Sequence, residues 1–194
     1  YYAEVAKTLG GKDIRPSQMG IETHVEKSPL GVVAAIVPWN FPVTLALSKI
    51  APAMAAGCTL VIKPSPGTIL DSYILAEAAL EAGVPAGVLN WVPADRDAGA
   101  YLVSHPDVDK VAFTGSTTAG RIIARTCGEL LRPVTLELGG KSAAIVLEDA
   151  DLGAFIQGIP MTCMLNNGQA CYNGTRILAP PSRHKEIVDA VAAL

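Results

Sequence analysis

Short unbroken apolar runs along this chain alternate with longer stretches in which apolar residues recur every three or four positions. Runs at 31–37, 59–63, 88–92, 110–114, 134–138 and 143–147 are rich in β-branched residues and predict strands. The stretches at 43–56, 68–82 and 116–128, and a shorter one ending at Ser104, predict helices between them. Thr68 is expected to cap its helix, with Asp71 in the capping-box position, and Gly83-Val84-Pro85 to stop it. Strands that are apolar throughout, rather than alternating, belong to a parallel sheet covered on both faces. In such sheets ligands bind beyond the carboxyl ends of the strands.

Past Asp149-Ala150-Asp151 the pattern weakens. A long helix with few polar residues leads to a turn at Asn166-Asn167-Gly168, followed by a strand at 175–179 and a last helix. The expected fold class is α/β. A parallel Rossmann-like sheet covered by helices occupies 1–138, and 139–194 begin a second α/β domain.

Composition narrows the possibilities. Half of the 194 residues are hydrophobic and 17% are charged, against about 25% charged in ordinary globular chains, and mean hydropathy is +0.35. Disorder is excluded. A net charge of −3, without a basic run, argues against a nucleic-acid partner. The uncharged stretches 28–48 and 152–175 are long enough for a bilayer but carry internal prolines and amides, so neither reads as a membrane span. The start lacks the basic-then-apolar pattern of a signal peptide. The chain opens without Met and closes in a helical pattern without a stop signal, so a piece of a longer protein is expected. Surfaces covered by the rest of that protein then account for the apolar surplus. Four widely spaced cysteines, with no CxxC pair and no His at ligand spacing, predict reduced thiols in a cytoplasmic protein and no metal site.

Several short segments offer chemistry. Phe113-Thr114-Gly115-Ser116-Thr117 joins a strand to a helix, where free N–H groups and the helix dipole attract phosphate, or where Ser116 simply caps a turn. It is not a P-loop, and GxGxxG is absent. Gly168-Gln169-Ala170-Cys171 sets a thiol after a helix-breaking turn, as an activated nucleophile or a buried structural cysteine. Cys58, Cys127 and Cys163 read as structural. Glu137, inside an apolar strand end, is expected to be buried and so suited to general-base work, unless it pairs with Lys141. Asn40, held between Pro38 and Pro42, either aims its amide at a developing oxyanion or sits in a turn with Trp39 and Phe41 in the core.

Pro38-Trp39-Asn40-Phe41-Pro42, Lys63-Pro64-Ser65, Phe113-Thr114-Gly115-Ser116-Thr117, Leu136-Glu137-Leu138-Gly139-Gly140-Lys141 and Gly168-Gln169-Ala170-Cys171 occur in one order. Together they resemble the NAD(P)-dependent aldehyde dehydrogenase superfamily, from about Ile21 onward. The resemblance implies oxidation of a small-molecule aldehyde by NAD or NADP. Cys171 is then the nucleophile, Asn40 an oxyanion donor and Glu137 the base that activates water. Lys63 would meet the adenosine ribose and Gly115 and Ser116 the pyrophosphate, with Ser65 and Gly120 also among the cofactor-binding residues. Val37, Pro38 and Trp39 would line the cofactor cleft, with Leu138 and Gly139 near the nicotinamide. Family members often place an acidic residue three positions after the lysine to hold both ribose hydroxyls; Pro66 stands there, which implies that NADP is tolerated. Members are also much longer, form homo-dimers or homo-tetramers, and carry most of the catalytic domain beyond the equivalent of Leu194, so this segment alone is expected to be inactive. The alternatives are a CoA-acylating relative and a non-catalytic one.

Overall fold

A computed structural model describes residues 1–10, 13–17 and 19–194. The chain forms two compact units, Tyr1–Glu137 and Leu138–Leu194. The first begins with α1 (Tyr2–Thr8) and an antiparallel hairpin of β1 (Asp13–Pro16) and β2 (Glu22–Val25). Its main body runs β3 (Val32–Ile36), α2 (Pro42–Ala55), β4 (Thr59–Lys63), α3 (Ile69–Glu81), β5 (Leu89–Trp91), α4 (Arg96–Ser104), β6 (Lys110–Gly115), α5 (Thr117–Glu129) and β7 (Val134–Leu138).

These strands form one sheet in the order β5-β4-β3-β6-β7. The pairs β3–β4, β3–β6 and β4–β5 are parallel. The chain steps outward from β3 to β5, then returns to β6 on the other side of β3. That reversal opens a crevice beyond the carboxyl ends of β3 and β6. Side-chain alternation sorts the strands onto two faces. Val33, Ala35 and Val37, with Leu60 and Ile62, build a core against Ala46 and Ile50 of α2. Ile36 lies on the opposite face and is in register with both Lys63 and Phe113. This second face is covered by α4 and α5, which bury Val103 and Ile123.

Register at the amino end of β3 is held by a clamp. Asp109, just before β6, accepts the Val32 N–H at 2.7 Å through its carboxylate, and its own N–H donates to the Val32 carbonyl at 2.9 Å. Gly31 adopts φ +111°, and any Cβ there would run into that carboxylate. A side chain is excluded twice over, by backbone conformation and by space.

In the second unit β8 (Ala143–Ile145) pairs in parallel with β9 (Arg176–Leu178). Around them lie α6 (Leu152–Cys163), capped by Asp151 accepting from the Ala154 N–H at 2.7 Å, and α7 (His184–Ala192). Val146, Ile159, Cys163 and Ile187 are buried.

The elements agree with the sequence pattern, and one expected cap does not form. A 3-10 turn, Pro66–Thr68, precedes α3, and Thr68 makes no side-chain capping bond. Its φ of −138° and ψ of 40° lie outside the extended conformation from which a hydroxyl reaches the helix N–H groups. Ser65 instead accepts from Gly67 N–H and caps the 3-10 turn. Among the described residues, no helix is long and apolar enough to cross a membrane.

Candidate active site

Two helical stripes and three strand ends enclose an apolar slot of about 260 Å³ in the first unit. Helix α4 contributes Arg96, Gly99, Ala100 and Val103, and α5 contributes Ala119, Ile122, Ile123 and Thr126. Both sets follow the i, i+3, i+4, i+7 spacing of one helix face. Ile36, Lys63 and Phe113 form the sheet side. The small side chains at 99, 100 and 119 leave the space between the helices unfilled. The Lys63 stem crosses Gly99 so closely that a Cβ there would lie 3.1 Å from Lys63 Cε. The Lys63 ammonium donates to the carbonyls of Pro64 at 3.0 Å and Ala94 at 2.9 Å. Burial pushes its pKa down from the ordinary lysine value, and the Asp95 carboxylate opposes that shift.

The start of α5 adjoins this slot through Ala119. The Ser116 hydroxyl accepts from Ala119 N–H at 3.2 Å, and the Ser116 carbonyl accepts from Gly120 N–H at 2.9 Å. Thr117 and Thr118 N–H have no acceptor among the described residues, so the positive end of the helix dipole is left with two open donors. Gly120 is buried, and its N–H is already engaged by the Ser116 carbonyl. Gly115 ends β6, directly before this helix start. A Cβ there would lie 2.5 Å from Phe113 Cζ, so the space it leaves open is filled by the chain's own aromatic ring.

At the exit of β3, Val37 is packed in the core against α2 and its N–H donates to the Lys63 carbonyl at 3.0 Å. Its side chain therefore does not line a cleft; only its carbonyl remains to offer. Pro38 is half-buried and Trp39 is 53% exposed, which removes Trp39 from the core reading. Asn40, half-buried, sits just before Phe41, the N-cap residue of α2, where Pro42 fills the first helical position. Ser65 turns its hydroxyl into the 3-10 turn.

On the α2 face of the sheet, Lys49 is only 8% exposed and donates to Thr114 Oγ1 at 2.6 Å. Burial pushes the Lys49 pKa down, and the negative charge of Glu137 opposes the shift. Glu137 itself is exposed, contrary to the burial expected of it. The reason is its place on β7, the edge strand, where Thr135 and Glu137 alternate outward.

In the second unit Cys171 is exposed, whereas Cys58, Cys127 and Cys163 are buried. Its loop is held from both sides. Asn166 and Asn167, with φ of 53° and 56°, make the preceding turn in the left-handed region that asparagine tolerates. Asn173, 3% exposed, donates from Nδ2 to the Leu165 carbonyl at 3.1 Å and from its N–H to the Ala170 carbonyl at 3.2 Å. Gly174 N–H then reaches the Thr162 carbonyl at 2.8 Å. Leu138 is half-buried, and Gly139 is exposed at the start of this unit.

The whole chain, residues 1–194, matches the aldehyde dehydrogenase family. The chain belongs to that family. It is 67% identical over 192 residues to geranial dehydrogenase of Castellaniella defragrans, covering 99% of this chain and 40% of that protein. Among solved structures, the Mycobacterium tuberculosis aldehyde dehydrogenase complexed with NAD+ superposes with a TM-score of 0.95 at 49% identity, over 100% of this chain and 40% of that one. An NADP dependent enzyme of Escherichia coli gives a TM-score of 0.93 at 39% identity, again over 100% and 40%. The chain thus spans about 40% of the length of these relatives.

For an aldehyde dehydrogenase chain, the pattern of residues alone misses three features. Lys49 is the lone charge in an otherwise uncharged helix, which is itself a signal. Asn173 follows the Gly168–Cys171 segment closely and is buried. The walls of the slot are two small-residue stripes whose meeting depends on the sheet order.

Proposed function

We propose that residues 1–138 are the dinucleotide-binding domain, and 139–194 the beginning of the catalytic domain, of an enzyme that oxidises an aldehyde to a carboxylic acid with NAD or NADP. One observation carries the reading. An apolar slot edged by Lys63 runs to a helix start with two open N–H groups, at the crevice where the strand order reverses. These residues fit an adenine nucleotide. The slot takes a flat heteroaromatic ring, Lys63 and the turn at Ser65 stand by the ribose, and Ser116, Thr117 and Thr118 hold the pyrophosphate. The Val37 carbonyl, Pro38 and Trp39 flank the cleft, while Leu138 and Gly139 lie by the nicotinamide. The nicotinamide group supplies the hydride acceptor.

In this mechanism the Cys171 thiolate adds to the carbonyl carbon of the aldehyde, forming a C–S bond and a tetrahedral oxyanion. The Asn40 amide and the Cys171 backbone N–H donate to that oxygen. Loss of hydride leaves a thioester on Cys171. Glu137 takes a proton from water, whose oxygen attacks the thioester carbon, and the C–S bond breaks to release the acid and restore the thiolate. The identity to geranial dehydrogenase favours an apolar aldehyde. The working assembly is proposed as a cytoplasmic homo-dimer or homo-tetramer, and the 194 residues alone as inactive.

The test is to follow NADH or NADPH production by the full-length protein with apolar aldehydes, with and without CoA. Free acid whose yield does not depend on CoA, abolished by Cys171→Ala, is the expected result. An acyl-CoA product, or unchanged turnover in Cys171→Ala, overturns the mechanism.

A further inference from the structure

Asn173 is buried in the loop that carries the exposed Cys171, yet its side chain is only half satisfied. Nδ2 donates to the Leu165 carbonyl at 3.1 Å, whereas Oδ1 is buried with no hydrogen-bond partner among the described residues. A buried amide with one end unpaired costs stability, and an apolar side chain of similar size would avoid that cost. Packing therefore does not account for an amide at this position. The donor must serve something other than the core.

What it fixes is the turn around Cys171. Residues 170–173 form a hydrogen-bonded turn, closed by the Asn173 N–H on the Ala170 carbonyl at 3.2 Å. The Asn173 amide ties the closing residue of this turn back to Leu165, just past the end of α6. The next residue is pinned to the same helix end. Gly174 N–H donates to the Thr162 carbonyl at 2.8 Å, and the Gly174 carbonyl accepts from Cys163 Sγ at 3.1 Å. The peptide joining Ala170 to Cys171 is trans and planar, so its N–H points opposite to its carbonyl. With that carbonyl held inside the turn, the Cys171 N–H is turned outward, and it has no acceptor among the described residues.

We propose that Asn173 is the positioning residue of the oxyanion site: its amide and its backbone N–H together hold the 170–171 peptide so that the Cys171 N–H meets the oxygen that becomes negative when the thiolate adds. The assignment rests on the thiolate mechanism proposed above. A backbone donor aimed before the reaction needs no reorganisation as charge develops, and that is the source of its effect. Asn173 acts through the peptide and not on the reacting atoms. Without its anchor to Leu165 the turn loosens, and the open N–H swings away from the oxygen.

Two rates measured on the full-length protein separate this role from general support of the loop. Single-turnover formation of NADH or NADPH with an apolar aldehyde passes through the oxyanion. Alkylation of Cys171 by iodoacetamide, at a saturated carbon, does not. Losing an oxyanion donor outright costs about 10²–10³ in rate, and misaiming one costs less. Asn173→Ala, and Asn173→Leu, which keeps the bulk but lacks the donor, are expected to slow single-turnover formation about tenfold or more. The steady-state KM for aldehyde is expected to change less than about twofold, because the lost interaction belongs to the transition state. Iodoacetamide alkylation is expected to stay within about twofold of wild type, because the supply of thiolate is untouched. Parallel loss of both rates, unchanged formation of reduced cofactor, or failure of both variants to fold overturns the assignment while leaving the thiolate mechanism standing. Full turnover in Cys171→Ala overturns that mechanism and this assignment with it.

Discussion

Replacing Gly115 by alanine is the sharpest available probe of the slot. The added Cβ would lie 2.5 Å from Phe113 Cζ and 3.1–3.2 Å from the two Cε atoms. Carbon atoms pack best at about 3.5–4.0 Å, so the ring tip must retreat by about 1 Å. Phe113 is 7% exposed and forms the sheet side of the slot, so the open direction is into the slot itself. Overpacking of this kind costs about 1–3 kcal/mol. Gly115→Ala should therefore lower the urea unfolding midpoint of the full-length protein and weaken adenine-nucleotide binding together. Shortening the ring with Phe113→Leu removes the clashing atom, and a double-mutant cycle should show coupling of about 0.5–3 kcal/mol between the two positions. If instead the glycine exists to let a phosphate approach the backbone, Gly115→Ala weakens binding equally in both backgrounds. That result, or an unchanged midpoint, refutes the packing argument.

Lys49→Met tests the buried ammonium through pH. Below the lowered folded-state pKa both folded and unfolded chains keep the proton. Between that pKa and the ordinary 10.5 the unfolded chain holds more protons, so stability rises with pH in that window. Wild-type protein should gain stability relative to Lys49→Met as pH climbs toward 10.5, and parallel pH profiles would refute this. Asn173→Ala removes the bond to the Leu165 carbonyl, which keeps only the Gly168 N–H at 3.2 Å, a loss of about 0.5–1.5 kcal/mol. Backbone hydrogen exchange across 165–173 should speed up, and unchanged protection would show that the loop is held by other contacts.

How much of this was legible in the chain differs by element. Sheet strands such as Val-Val-Ala-Ala-Ile at 32–36 are buried on both faces, and that condition writes itself as an unbroken apolar run. The β1–β2 hairpin has almost every side chain exposed, so no alternation marks it. Ser116 was legible as a cap because capping is local, whereas Thr68 failed because the preceding prolyl turn decided its backbone angles. Glu137 shows the limit of reading burial from neighbours. Leu136 and Leu138 flank it, but strand alternation turns them to the other face, and only the sheet order reveals that β7 is an edge.

The clamp between Gly31 and Asp109 has a further consequence. It sits at the amino end of β3, and the slot and Asn40 lie past the carboxyl end, a strand length of about 16 Å away at the usual rise per residue. A slip of one residue at the clamp would turn Ile36 off the slot face and bring Val37 onto it. The strand thus acts as a ruler whose zero mark is set far from where the measurement is read. In a mutational map of the full-length protein, Gly31 would score with the residues that line the slot although it lies at the strand's other end, because what it contributes is alignment.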